Sequence, residues 1–191
     1  MFGWLATRSA PLCRHAPLTL VSRRIRRITP HALIRKLPGL GSVLYLHAAS
    51  TTVIRDVLPP GLLVAQRTFA PLLDTRWLVA TSLVTDDGPR EWFECMDRFG
   101  RIRARLHLLP DTDYLAWDAL MSSCEPDDAT PTLSEASLLR PDHASIVNFQ
   151  LRELGGLLLL EPGTVASLSP LGGRVAARIA SAESAVLLTS H

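Results

Sequence analysis

Between Ser42 and Leu109 the chain reads as short apolar and β-branched runs, cut at close intervals by Gly, Pro and Asp. The runs Ser42–Ala48, Thr51–Leu58, Leu62–Thr68, Trp77–Thr85, Glu91–Met96 and Arg101–Leu109 predict six strands. Pro59-Pro60-Gly61, Asp86-Asp87-Gly88-Pro89 and Asp97–Gly100 supply turn chemistry between them. Runs joined so tightly pair most naturally as antiparallel neighbours. Pro110 ends this pattern. Asp111 or Asp113 then caps a helix to about Met121, with Leu115 and Leu120 on its inner side and Trp117 near them. Residues 122–133 predict a linker, and Ser134–Leu139 a helical turn. A second β-rich stretch follows at Ser145–Leu151, Gly156–Leu160, Thr164–Leu168, Arg174–Ile179 and Ser184–Thr189.

Upstream, residues 20–37 predict a helix in two pieces split by Pro30. Val21, Ile25 and Ile28 share one face, and Leu33, Ile34 and Leu37 another. Leu37-Pro38-Gly39-Leu40-Gly41 reads as a turn; it lacks the glycine spacing and the Lys-Ser/Thr of a nucleotide loop. Residues 1–22 show no period and are expected to form a basic flexible leader before a domain at 23–191. Strands in runs, with helices set apart from them, make the fold class α+β: an antiparallel β-rich sheet with flanking helices.

Composition sharpens this picture in two places. The 191 residues carry a net charge of only +2, but residues 1–55 hold nine Arg/Lys and no acid. An acid-free, Arg-rich start fits either a mitochondrial transit segment or the basic extension of a bacterial cytosolic protein. The stretch Arg23 to Lys36 reads as a helix packed on the domain, or as a basic surface for acidic lipid or nucleic acid. Cys13, Cys95 and Cys124 are odd in number and far apart, so a disulfide framework or zinc site is not expected, and a reducing compartment is. No apolar run reaches the length of a membrane span.

The strand Arg101–Leu109 alternates: Ile102, Ala104, Leu106 and Leu108 point one way, Arg101, Arg103, Arg105 and His107 the other. Cations in such a row repel, so carboxylates such as Glu91 or Glu94, solvent, or an anionic ligand must compensate them. No G-x-S-x-G element is present, no cysteine has an evident basic partner, and no histidine pair has zinc spacing. Asp111 and Asp113 read as helix caps, and Trp77, Trp92 and Trp117 as core aromatics.

The segment Trp77–Met121 resembles the cytoplasmic haem-utilisation family of haem-trafficking and haem-degrading proteins. The residues that carry the likeness are Trp77, Trp92-Phe93-Glu94-Cys95-Met96-Asp97-Arg98-Phe99-Gly100, Arg103-Ala104-Arg105-Leu106-His107-Leu108, Thr112-Asp113 and Trp117-Asp118-Ala119-Leu120. Leu40-Gly41-Ser42-Val43 and Thr52-Val53-Ile54-Arg55 resemble the opening hairpin. Ile146-Val147-Asn148-Phe149, Gly155-Gly156-Leu157 and Glu161-Pro162-Gly163-Thr164-Val165 resemble the start of a second copy. The resemblance implies a first β-rich module at 42–125 and a partial second module at 144–191. Two departures stand out. Ala104-Arg105 replaces the family's His-Lys pair, and Pro141-Asp142-His143-Ala144 lacks the aromatics that follow its axial histidine.

The implied cofactor is haem, which needs an axial imidazole, an apolar slot and cations for its propionates. By that resemblance His143, or else His107, holds the iron, and Arg101, Arg103 and Arg105 hold the propionates. The implied function is cytoplasmic haem binding and transfer to a haem-receiving protein, with a homodimer as a further expectation and no role in nucleic-acid binding. A haem-degrading enzyme, and a non-haem interaction protein using the basic N-terminal segment, remain open alternatives.

Overall fold

A computed structural model describes residues 19–47, 59–85, 88–126, 139–164 and 168–188. Its elements in chain order are β1 (Thr19–Arg27), α1 (Pro30–Lys36), β2 (Ser42–His47), β3 (Leu62–Val64), α2 (Ala70–Leu73), β4 (Trp77–Thr85), β5 (Gly88–Met96), β6 (Ile102–His107), α3 (Tyr114–Ser122), β7 (Glu125–Pro126), β8 (His143–Leu154), β9 (Leu157–Pro162), α4 (Pro170–Ala182) and β10 (Val186–Leu188). The strands form one sheet in the order β3-β9-β8-β2-β6-β5-β4-β1-β7, with β10 paired to β8. Among the described strands only the β3–β9 and β8–β10 pairs are parallel. The fold is α+β, as the grouping of strands and helices implies. Strands of both β-rich stretches share the sheet, because β8 pairs with β2.

Two layers of side chains cover the sheet. On one face α1, α2 and α3 bury Leu33, Leu72 and Leu120 against Val43, Tyr45, Leu78, Phe93 and Leu106. On the other, α4 lays Ala176, Ile179 and Ala180 on Leu44, Leu46 and Ala144. Positions i, i+3 and i+4 of one helix thus supply its apolar stripe. Phe93 and Trp117 stack with ring centroids 3.9 Å apart, fixing α3 on the sheet.

Local chemistry explains most element ends. Thr29 caps α1 through Ala32 N, and Asp113 caps α3 through Ala116 N. Asp97 closes the β5–β6 turn by accepting from the amides of Phe99 (2.8 Å) and Arg101 (3.0 Å). Gly155 and Gly156 both have positive φ, as a two-residue turn between β8 and β9 requires.

Several expectations change. Residues 19–27 form β1, not the first piece of a helix, and its first four residues fall within the predicted leader. The spacing of Val21 and Ile25 is four, which satisfies both a helical and a two-residue period. Antiparallel pairing along β4 decides the matter, and Pro30 then starts α1 instead of splitting a helix. Leu37–Leu40 is a 3-10 turn. The strand expected at Leu62–Thr68 ends at Val64 and gives way to a 3-10 turn at Arg67–Phe69. Arg174–Ile179 lies in α4, not in a strand: Ser169 caps that helix and Pro170 occupies its first turn. Leu115 is 82% exposed, and Trp117, Leu120 and Met121 form the inner face of α3. The strand at Thr51–Leu58 and almost all of the helical turn at Ser134–Leu139 lie outside the described residues.

Candidate functional site

Residues opposite one another in an antiparallel ladder share a face. Across β2 and β6, Leu44 stands opposite His107 and Leu46 opposite Arg105. Those two leucines lie under α4, so Arg105 and His107 belong to the α4 face. Across β2 and β8, His47 stands opposite His143, and His47 is also opposite Ala104 of the helix-α1–α3 core. His143 therefore lies on the other face. The structure brings Arg105 and His107 together and separates both from His143.

The row of cations on β6 is also interrupted. Cys95 pairs with Ala104 and Met96 with Ile102, so Arg103 is the extra residue of a β-bulge. Beyond it Ile102, not Arg103 or Arg101, stands opposite Met96. Arg101 is drawn into the β5–β6 turn, where its Nε donates to Asp97 at 2.9 Å and its guanidinium lies 4.9 Å from the Phe99 ring. Arg103 is half-buried, and none of the described carboxylates pairs with it.

Arg105 is neutralised twice. Its Nε donates to Glu94 at 3.2 Å, and a terminal nitrogen donates to Glu183, just past α4, at 2.7 Å. Glu94 is buried and also accepts from Arg23 of β1 at 3.2 Å and from the Trp92 indole at 3.4 Å. A charge chain Arg23–Glu94–Arg105–Glu183 thus joins β1, β5, β6 and the end of α4. Glu94 fulfils the compensating role that the strand alternation asks for; Glu183, 78 residues from Arg105, carries no such signal in the sequence.

His107 lies beside this chain, its ring stacked on Trp92 at 5.7 Å. It is buried and both ring nitrogens lack a hydrogen-bond partner. Burial, and then the charges of Arg105 and Arg90, lower its pKa to about 3. It is a neutral imidazole at any ordinary pH.

On the opposite face, His143 is half-buried, with Nδ1 buried and unpartnered. Its ring lies 6.4 Å from that of His47, which in turn stacks on Tyr45 at 5.4 Å. Tyr45 is fully buried and its hydroxyl donates to the Thr68 carbonyl at 2.7 Å. The pairing of His47 with His143 depends on the register of two strands about a hundred residues apart in sequence, and sequence spacing alone does not reveal it.

Haem can be tested against these residues. His143 offers an imidazole with an uncommitted nitrogen, which fits an axial ligand. Arg101 and Arg105 are committed to carboxylates, and Arg105 lies on the wrong face for a group held by His143. The imidazole of the expected set fits, and two of its three propionate arginines, Arg101 and Arg105, do not. Among the described residues, no group of three or more His, Cys, Asp or Glu is placed to hold a bare metal ion, and no helix is long and apolar enough to cross a membrane. Neither a protein-family model nor a curated protein matches the chain.

Proposed function

We propose that this chain binds haem and passes it to a receiving protein in the cytoplasm, with His143 as the axial ligand. The observation that carries this reading is the buried, unpartnered Nδ1 of His143 beside the ring of His47. A buried polar atom without a partner is costly, and His143, unlike the fully enclosed His107, keeps part of its ring open to an incoming ligand. The order of motifs shared with the haem-utilisation family supports the same reading. Haem would supply the iron; the chain supplies the imidazole, with His47 and Tyr45 setting its surroundings. Arg101 and Arg105 are assigned to the scaffold, not to the propionates.

The test is an absorbance titration of the purified protein with haem, comparing wild type, His143→Ala and His107→Ala. The reading expects a saturable one-to-one Soret shift, weakened at least about tenfold in His143→Ala, as loss of a ligand bond implies, and retained in His107→Ala. Saturable binding that ignores His143→Ala removes the assignment of the ligand. No saturable binding removes the haem reading altogether.

A further inference from the structure

Where β1 hands over to α1, the structure holds an open cleft of about 510 Å³. Its walls come from three junctions: β1 to α1, α2 to β4, and the C-terminal end of α3. Two backbone hydrogen bonds fix those walls, Ile28 N to Arg76 O at 3.0 Å and Arg76 N to Met96 O at 2.8 Å. The cleft is thus preformed. Arg27 and Arg76 both line it, and among the described lining residues none is acidic.

The two arginines are not equivalent. Arg27 stands opposite Glu125 across β1 and β7 and lies 5.9 Å from the Trp77 ring. Arg76 is half-buried; its guanidinium donates to the Thr75 carbonyl at 3.1 Å, and none of the described carboxylates pairs with it. A half-buried guanidinium with no described carboxylate beside it keeps donors that an anion entering the cleft can meet. Thr29 adds a second donor. Its oxygen accepts from Ala32 N at 3.2 Å, which leaves the hydroxyl proton free to donate into the cleft. Ile28, Pro30 and Ala32 give the wall its apolar part, and Ser123 closes it at the end of α3.

We infer that this cleft binds an organic oxyanion, a carboxylate or phosphate on an apolar body, held by Arg76 and Thr29. The oxyanion meets the guanidinium fork, and the apolar body lies along Ile28 and Pro30. The inference is independent of the haem reading, because none of these residues belongs to β2 or β8, which carry His47 and His143.

Phenyl phosphate and benzoate are the probes, titrated into the full chain by calorimetry; their difference tells phosphate from carboxylate. The inference expects saturable one-to-one binding of at least one, weaker at high salt. Arg76→Gln should weaken it about tenfold or more, the range of a lost charge-assisted hydrogen bond. Ala32→Trp should abolish it by filling the cleft, and Ala32 is exposed, so the fold has room for this change. Arg103→Gln and His143→Ala should leave it intact. No saturable binding of either probe overturns the inference. So does binding that survives both Arg76→Gln and Ala32→Trp, or binding that falls equally with Arg103→Gln or His143→Ala.

Discussion

His107 and His143 lie on opposite faces of one sheet, His107 opposite Leu44 of β2 and His143 opposite His47 of the same strand. One planar ligand cannot use both, nor can it use His143 together with Arg105. The α4 face at this level is a scaffold built on ion pairs. The opposite face offers the histidine pair.

The charge chain yields the first prediction. Glu94 is buried between Arg23 and Arg105. Glu94→Ala leaves Arg105 with Glu183 alone and should cost about 3 kcal/mol, the range for breaking a buried pair. Glu94→Leu with Arg105→Met should cost clearly less than the sum of the two single changes. Denaturant unfolding of the four proteins in the cycle checks this.

Protonation of His107 gives the second. Its folded pKa of about 3 lies below the value of about 6.5 in an unfolded chain. Between those values the unfolded chain binds the extra proton, so stability rises with pH through the window and levels off above it. The slope approaches about 1.4 kcal/mol per pH unit. His107→Leu should flatten the pH dependence of Tm between about pH 3 and 6.5, while variants elsewhere should keep it.

The start of α4 provides the third. Asp111 accepts from both the amide (2.8 Å) and hydroxyl (2.9 Å) of Ser169, while that hydroxyl accepts from Gly172 N. A Cβ on Gly172 would run into the Asp111 carboxylate and come within 3.2 Å of Leu168 Cδ1. Gly172→Ala should therefore destabilise the protein by about 1 kcal/mol or more, although alanine is the better helix former. Amide exchange in the first turn of α4 should speed up in that variant; unchanged exchange counts against the brace.

Cysteine reactivity gives the fourth. Burial, with a smaller contribution from the Glu94 charge, pushes the Cys95 thiol up to about 12. Iodoacetamide at pH 8 should leave Cys95 unmodified in the native protein and label it after unfolding, as peptide mass spectrometry would read.

The sequence makes some of this legible and hides the rest for identifiable reasons. Trp77–Thr85 is a strand over its full predicted length because its run is bounded by strong turn chemistry. The helix capped by Asp113 is legible for the same reason. β1 is hidden because a spacing of four serves both periods. α4 is hidden because Gly172-Gly173 resembles a turn, while Ala176, Ile179 and Ala180 carry a helical stripe of small residues. The bulge at Arg103 and the faces of His107 and His143 are properties of pairing between strands. No single strand records them, so an alternation that reads as a row of four cations ends as one ion pair at Arg101, a doubly paired Arg105, a bulged arginine and a neutral histidine.

The most direct measurement is the NMR of histidine side chains as gallium protoporphyrin, a redox-inert diamagnetic relative of haem, is added to the intact protein. The account predicts that the imidazole signals of His143 and His47 shift to saturation while those of His107 stay in place. A shift of His107 with His143 unmoved, or no shift of any of the three, would contradict it.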